Sequence, residues 1–219
     1  MKKENPWRQL PSTAPFLLPD DKDLVDKFNE SAAEDLLIHH ELLPEPFIGS
    51  PDAPVVLLNK NPGYSSPNDL AKHPLSKQAR LGLVHESEVP FYLLDEHERQ
   101  SLGYKWWNRK LKSLIKACGN QVVARSILCV EFFPYHSKRF GHDRLALPSQ
   151  QYSFDLVRSA ISRDAIIVVM RGSKRWLRAL PELKSYTRLC HLRNPQNPTI
   201  SPNNCPDGYQ SIIEAIGDA

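Results

Sequence analysis

Three apolar runs, Val55–Leu58, Ser126–Phe133 and Ala165–Met170, are almost uninterrupted by polar residues. A strand with one wet face alternates apolar and polar side chains, so near-continuous runs mark strands buried on both faces, as in a parallel sheet covered by helices. A fourth and more mixed run spans Arg188–Leu192. Helical patterns lie between them. Trp107, Leu111, Leu114, Ile115 and Cys118 recur at helical spacing, and Gly119 stands where such a helix ends. Phe154, Val157, Ala160 and Ile161 give a second helix. Trp176, Leu177 and Leu180 give a third, with Ser173 as its cap, and Tyr209, Ile212, Ile213 and Ile216 give the last. Upstream, Leu24, Val25 and Phe28 begin a helix, and Ser31 with Glu34 fits a capping box for the next turn. This alternation predicts an α/β fold of three αβα layers, with a short parallel four-stranded sheet flanked by helices.

The 219 residues suffice for one substantial core, so a single domain over 1–219 is expected. Residues 1–20 read as an extended arm packed on the surface, and 65–90 as a long insertion between the first strand and its helix. No apolar run approaches the roughly 18 residues of a membrane span. The start, MKKENPWRQL, carries charge but no apolar stretch, so it is not a signal peptide and a cytoplasmic location is expected. Cys118, Cys129, Cys190 and Cys205 lie far apart without a CxxC pair, which favours reduced thiols over a metal site. The net charge of +3 is compatible with nucleic acid without arguing for it.

In open parallel sheets ligands bind beyond the carboxyl ends of the strands, so the polar residues there come first. Asn59-Lys60-Asn61-Pro62-Gly63-Tyr64 follows the first run, and Glu131 sits inside the second, ahead of Pro134-Tyr135-His136-Ser137-Lys138. Arg171-Gly172-Ser173 follows the third and Arg193-Asn194-Pro195-Gln196-Asn197-Pro198-Thr199-Ile200-Ser201 the fourth. Each has a plain alternative. Pro62-Gly63 is a ready type II turn. His191 reads as a core residue, His39-His40 as a helix end, and His136 as either a strand-end catalyst or a structural ring. The face made by Lys105, Arg109, Lys112 and Lys116 reads as solvated, whereas Arg171, Lys174 and Arg175 open a helix, where anions are favoured. Glu131 is too costly to bury unpaired, so it either pairs internally, with Lys60 as a candidate, or serves a pocket.

These residues together resemble the uracil-DNA glycosylase superfamily. Asn61-Pro62-Gly63 after the first strand is similar to the first loop of the mismatch-specific uracil/thymine glycosylases, and a late strand ends in Asn-Pro with a Ser shortly after. The resemblance runs from about residue 50 onward. It implies hydrolysis of the N-glycosidic bond of a modified or mismatched base flipped from DNA, single-stranded or damaged, by a monomer without metal or organic cofactor. It places Asn61 at the water-positioning position, Asn194 or Asn197 at the leaving-base position, and Ser201 at a phosphate, with Arg171 and Lys174 as further phosphate candidates. Glu131 falls at the base-reading position, and Phe91 or Tyr92 at the stacking position. Gly63 leaves room for a base larger than uracil. The alternative is a non-catalytic module of the same fold that binds nucleic acid or nucleotides.

Cleaving a base–sugar bond builds positive charge on the sugar and negative charge on the base. A carboxylate about 4 Å from that cation contributes on the order of 4 kcal/mol at an effective dielectric near 20, or about three decades in rate. Asn61 lacks that charge, so slow excision is expected. A carboxylate at Glu131 accepts a hydrogen bond from an exocyclic amine, so a base carrying an amino group is expected there.

Overall fold

The computed structural model describes residues 4–64 and 77–217. Among them, five strands form one mixed sheet in the order β1-β3-β2-β4-β5. These are β1 (Phe47–Gly49), β2 (Val55–Asn59), β3 (Ile127–Glu131), β4 (Ile166–Val169) and β5 (Leu189–His191). The last four are the four expected strands and run parallel. The expected four-stranded parallel sheet is extended by β1, which pairs antiparallel to β3 at the edge. Three residues ending in a glycine carry too little pattern to be read as a strand. Gly49 is required there by close approach: its φ is +119°, and a Cβ would stand 2.1 Å from the Ile127 carbonyl oxygen.

Helices α1 (Pro19–Asn29), α2 (Lys77–Leu83), α3 (Leu102–Cys118), α4 (Asn120–Ser126), α5 (Gln150–Ser162), α6 (Ser173–Ala179) and α7 (Tyr209–Gly217) complete the described regular structure, together with short 3-10 turns. Successive strand residues point to opposite faces, and each central strand therefore feeds two cores. Val55, Leu57, Ile127, Cys129, Ile166 and Val168 pack with α3, α4 and α7. Val56, Leu58, Leu128, Val130, Ile167 and Val169 pack with residues of α1, α5 and α6. The layers are thus αβα. No helix among the described residues is long and apolar enough to cross a membrane.

Several local expectations need correction. The first segment, expected as an extended arm packed on the surface, includes a 3-10 turn at Pro6–Gln9 and sends Trp7, Phe16, Leu17 and Leu18 into the two cores. Ser31 does not cap; the turn at Glu34–Leu36 follows Ala33 with no side-chain cap. Ser173 is the first residue of α6, and the cap position is Gly172 in the left-handed conformation, φ 75°. Much of the insertion expected over 65–90 lies outside the described residues.

Candidate functional site

The connection from β2 to β3 moves the chain to one side of β2, and β4 then pairs on the other side. The carboxyl ends of β2 and β4 therefore flank a topological switch point, where a crevice opens. A cavity of about 390 Å³ lies there, inside the roughly 300–1,000 Å³ of small-molecule sites. Its wall takes Asn59 to Tyr64 from the β2 end, Glu131 from β3, His136 to Phe140 from the next loop, Arg171 after β4, and Ser101 to Gly103 with Trp106 and Trp107 from the start of α3.

Strand register builds the floor. Val55, Leu57 and Asn59 share one face, as do Ile127, Cys129 and Glu131, and Asn59 stands directly beside Glu131 in the parallel pair. Asn59 Nδ2 donates to Glu131 Oε1 at 3.0 Å. The opposite atoms, Asn59 Oδ1 and Glu131 Oε2, are buried and have no hydrogen-bond partner among the described residues. Glu131 is only 6% exposed, and Lys60 forms no ion pair with it. Burial, and next the negative charge of Glu45, push the Glu131 carboxyl from an ordinary 4.5 up to about 8. A carboxyl shifted that far favours its neutral acid form at neutral pH. A neutral acid donates a hydrogen bond, so the shift argues against the expected carboxylate waiting for an amine.

The first loop is clamped to the loop after β3. Asn61 Nδ2 donates to Ser137 Oγ at 2.9 Å and to the Pro62 carbonyl at 2.9 Å, and Gly63 forms a bridge with Ser137. Gly63 is absent from the positive-φ glycines, so the type II turn reading fails: the chain continues extended to pair with Ser137. A Cβ at Gly63 meets no described atom within 4 Å. His136 is buried, with Nδ1 and Nε2 each 2.9 Å from a carbonyl oxygen, of Gly63 and Leu43 respectively. A neutral imidazole has one N–H and donates to one of these carbonyls, and the protonated ring donates to both, so in either form His136 fastens the wall. His191 is exposed at the end of the edge strand rather than in the core.

The aromatic of the cavity is Trp106, not Phe91 or Tyr92. Phe91 is 0% exposed and packs edge-on against Trp107, and Tyr92 is buried with its hydroxyl donating to Glu45 at 2.9 Å. Neither ring has a face left for a base. Trp106 is half-buried on the cavity wall, about 100° around the helix from Trp107, which belongs to the core. Two cations lie over its ring: Lys110 Nζ is 5.6 Å and Arg171 Cζ 5.7 Å from the ring centroid. Burial lowers the Lys60 ammonium pKa, and the Arg171 and Arg175 charges lower it further. Gly172 is the second position where glycine matters: a Cβ would come within 3.0 Å of the Lys60 stem.

The last loop approaches this rim without lining the cavity. Asn194 Oδ1 accepts from the backbone of Gln196 and Asn197, shaping its own turn. Asn197 Oδ1 accepts from Lys110 Nζ at 2.5 Å, and Arg171 Nη2 reaches the Gln196 carbonyl at 3.5 Å. Asn194, one alternative expected at the leaving base, thus shapes its own loop, and Asn197, the other, ties that loop to α3. Ser201 lies near the base of that loop, its carbonyl accepting from Asn204 and Cys205. Lys174 is exposed outside the wall, and Arg175 is committed to Asp143 in a two-pronged ion pair. Among the described residues no cluster of three or more His, Cys, Asp or Glu side chains is arranged to hold a metal ion.

Of the expected site residues, Asn61, Gly63, Glu131 and Arg171 therefore share one cavity, whereas Asn194, Asn197, Ser201, Lys174, Phe91 and Tyr92 do not line it. Asn59, read from the sequence only as part of its loop, and Trp106 join them. The period of two that put Glu131 on one face also pointed Asn59 there, and adjacent tryptophans point about 100° apart on a helix, so one is buried while the other reaches the rim. Comparison of the chain with protein families, with curated proteins and with solved structures yields no match.

Proposed function

We propose that the cavity holds a base flipped out of DNA and that the protein is a slow, glycosylase-like hydrolase of the base–sugar bond. The observation that carries this is the meeting of Asn61, Glu131 and Arg171, from three separate strand ends, around one cavity walled by a half-buried tryptophan. Trp106 supplies a face for stacking. Lys60 and Arg171 supply the positive field for a phosphodiester backbone. Asn61, held by Ser137, offers its carbonyl oxygen for positioning water. Neither Asn61 nor a neutral Glu131 adds negative charge beside the sugar, which supports slow chemistry.

That same feature favours the second reading, a module that captures a base without cleaving it. Single-turnover assays on oligonucleotides with single modified bases separate the two: release of free base supports the hydrolase, and tight binding with no release supports the module. Oligonucleotide affinity that does not fall with rising salt would remove both, because phosphate contacts release counterions.

A further inference from the structure

A neutral carboxylic acid and an amide oxygen side by side are a hydrogen-bond code. Glu131 Oε1 is already used by Asn59 Nδ2 at 3.0 Å, so the acid proton belongs on Oε2, which has no partner among the described residues. Asn59 Oδ1, 5% exposed as a residue and equally unpartnered, is an acceptor. Both residues line the cavity. Buried polar groups left unmatched call for a partner, and of those among the described residues only these two stand side by side in the cavity wall, where a ligand can complete the pairing.

We propose, building on the base-pocket reading above, that Glu131 Oε2–H and Asn59 Oδ1 read a flat heterocycle with an acceptor and a donor on neighbouring atoms. A lactam edge meets this pair with its carbonyl toward Glu131 and its N–H toward Asn59. An amidine edge meets it with ring nitrogen toward Glu131 and amino group toward Asn59. A heterocycle whose edge has lost its donor leaves Asn59 Oδ1 facing an acceptor or a methyl group and is rejected. An ionised Glu131 makes both floor atoms acceptors, and the code is lost.

The groups that surround Glu131 act together on its proton. Glu45, from the segment before β1, favours the neutral acid, whereas Arg171 after β4 and the hydrogen bonds from Asn59 and Cys129 favour the ionised form; burial outweighs them. Lys60 follows Asn59 on the same strand end, and its charge is coupled to that of Glu131.

The decisive variant is Glu131→Gln. A glutamine amide has the donor and acceptor of a neutral acid but no proton to lose. The probe is a short strand of tetrahydrofuran abasic residues with one central uracil, compared with the same strand carrying N3-methyluracil or no base. For wild type, uracil should bind roughly tenfold or more tightly than N3-methyluracil, the cost of one unmatched buried acceptor. Glu131→Gln should keep that preference and hold it above about pH 8, where wild type loses it. Loss of the preference in Glu131→Gln at neutral pH, with the fold intact by circular dichroism, would mean that Glu131 acts as a carboxylate and would overturn the inference. An infrared carboxylic C=O band at neutral pH, absent in Glu131→Gln, reads the proton without any ligand, and its absence in wild type would also overturn it. If that band is present and the base-bearing strands bind no better than the abasic strand, the base-pocket reading fails, and the edge code with it.

Discussion

Replacing Glu131 by glutamine should stabilise the fold, by an amount that grows with pH. In the unfolded chain this carboxyl ionises near its ordinary 4.5, but in the folded protein it holds its proton up to about 8. Between those values the folded state binds a proton that the unfolded state has released, so stability falls as pH rises. The stability is fully present below 4.5 and its loss is complete once pH passes about 8. At about 1.4 kcal/mol per unit the loss reaches about 3 kcal/mol by neutral pH and about 5 kcal/mol at the alkaline end. Glutamine fills the same space, accepts the Asn59 amide and has no proton to lose. The assay is urea unfolding of both proteins in buffers of about pH 4.5, 7 and 9. Other titrating groups, such as buried Asp21, are common to both proteins and cancel in the difference. The gap between variant and wild type should open by about 3 kcal/mol from the first buffer to the second and by about 5 kcal/mol to the third. A gap constant across the range would show that Glu131 is ionised in the fold, and the reasoning about the cavity floor would fall.

Other substitutions test the remaining walls. Trp106→Ala should leave the fold intact, because the ring is only partly buried at the edge of the core, yet weaken single-stranded oligonucleotide binding by the roughly 1–3 kcal/mol of a stacked base, read by fluorescence anisotropy. Arg171→Ala should lower affinity and reduce the slope of log affinity against log salt by about one phosphate contact; an unchanged slope places Arg171 off the backbone path. Asn61→Ala should abolish any base release in single-turnover assays. It should cost only about 1 kcal/mol of stability, since the lost amide holds Ser137 and Pro62 in a loop rather than a strand.

Apolar runs and their spacing sufficed to read four strands, five of the helices and the αβα layering, because burial leaves a signal within a few neighbouring residues. The parity of Val55, Leu57 and Asn59 and of Ile127, Cys129 and Glu131 was likewise written in the chain, as was the glutamate that had to be either paired or functional. The order of strands was not, nor the pairing of Asn59 with Glu131, because register is set by contacts between segments 72 residues apart. Only packing removed Phe91 and Tyr92 from the site and brought Trp106 into it, since an aromatic residue reads the same whether its face is covered or open. The Glu131 proton belongs to the tertiary structure too: a carboxyl titrates according to the water and charge around it, and β2, β3 and the segment before β1 set both only when they meet.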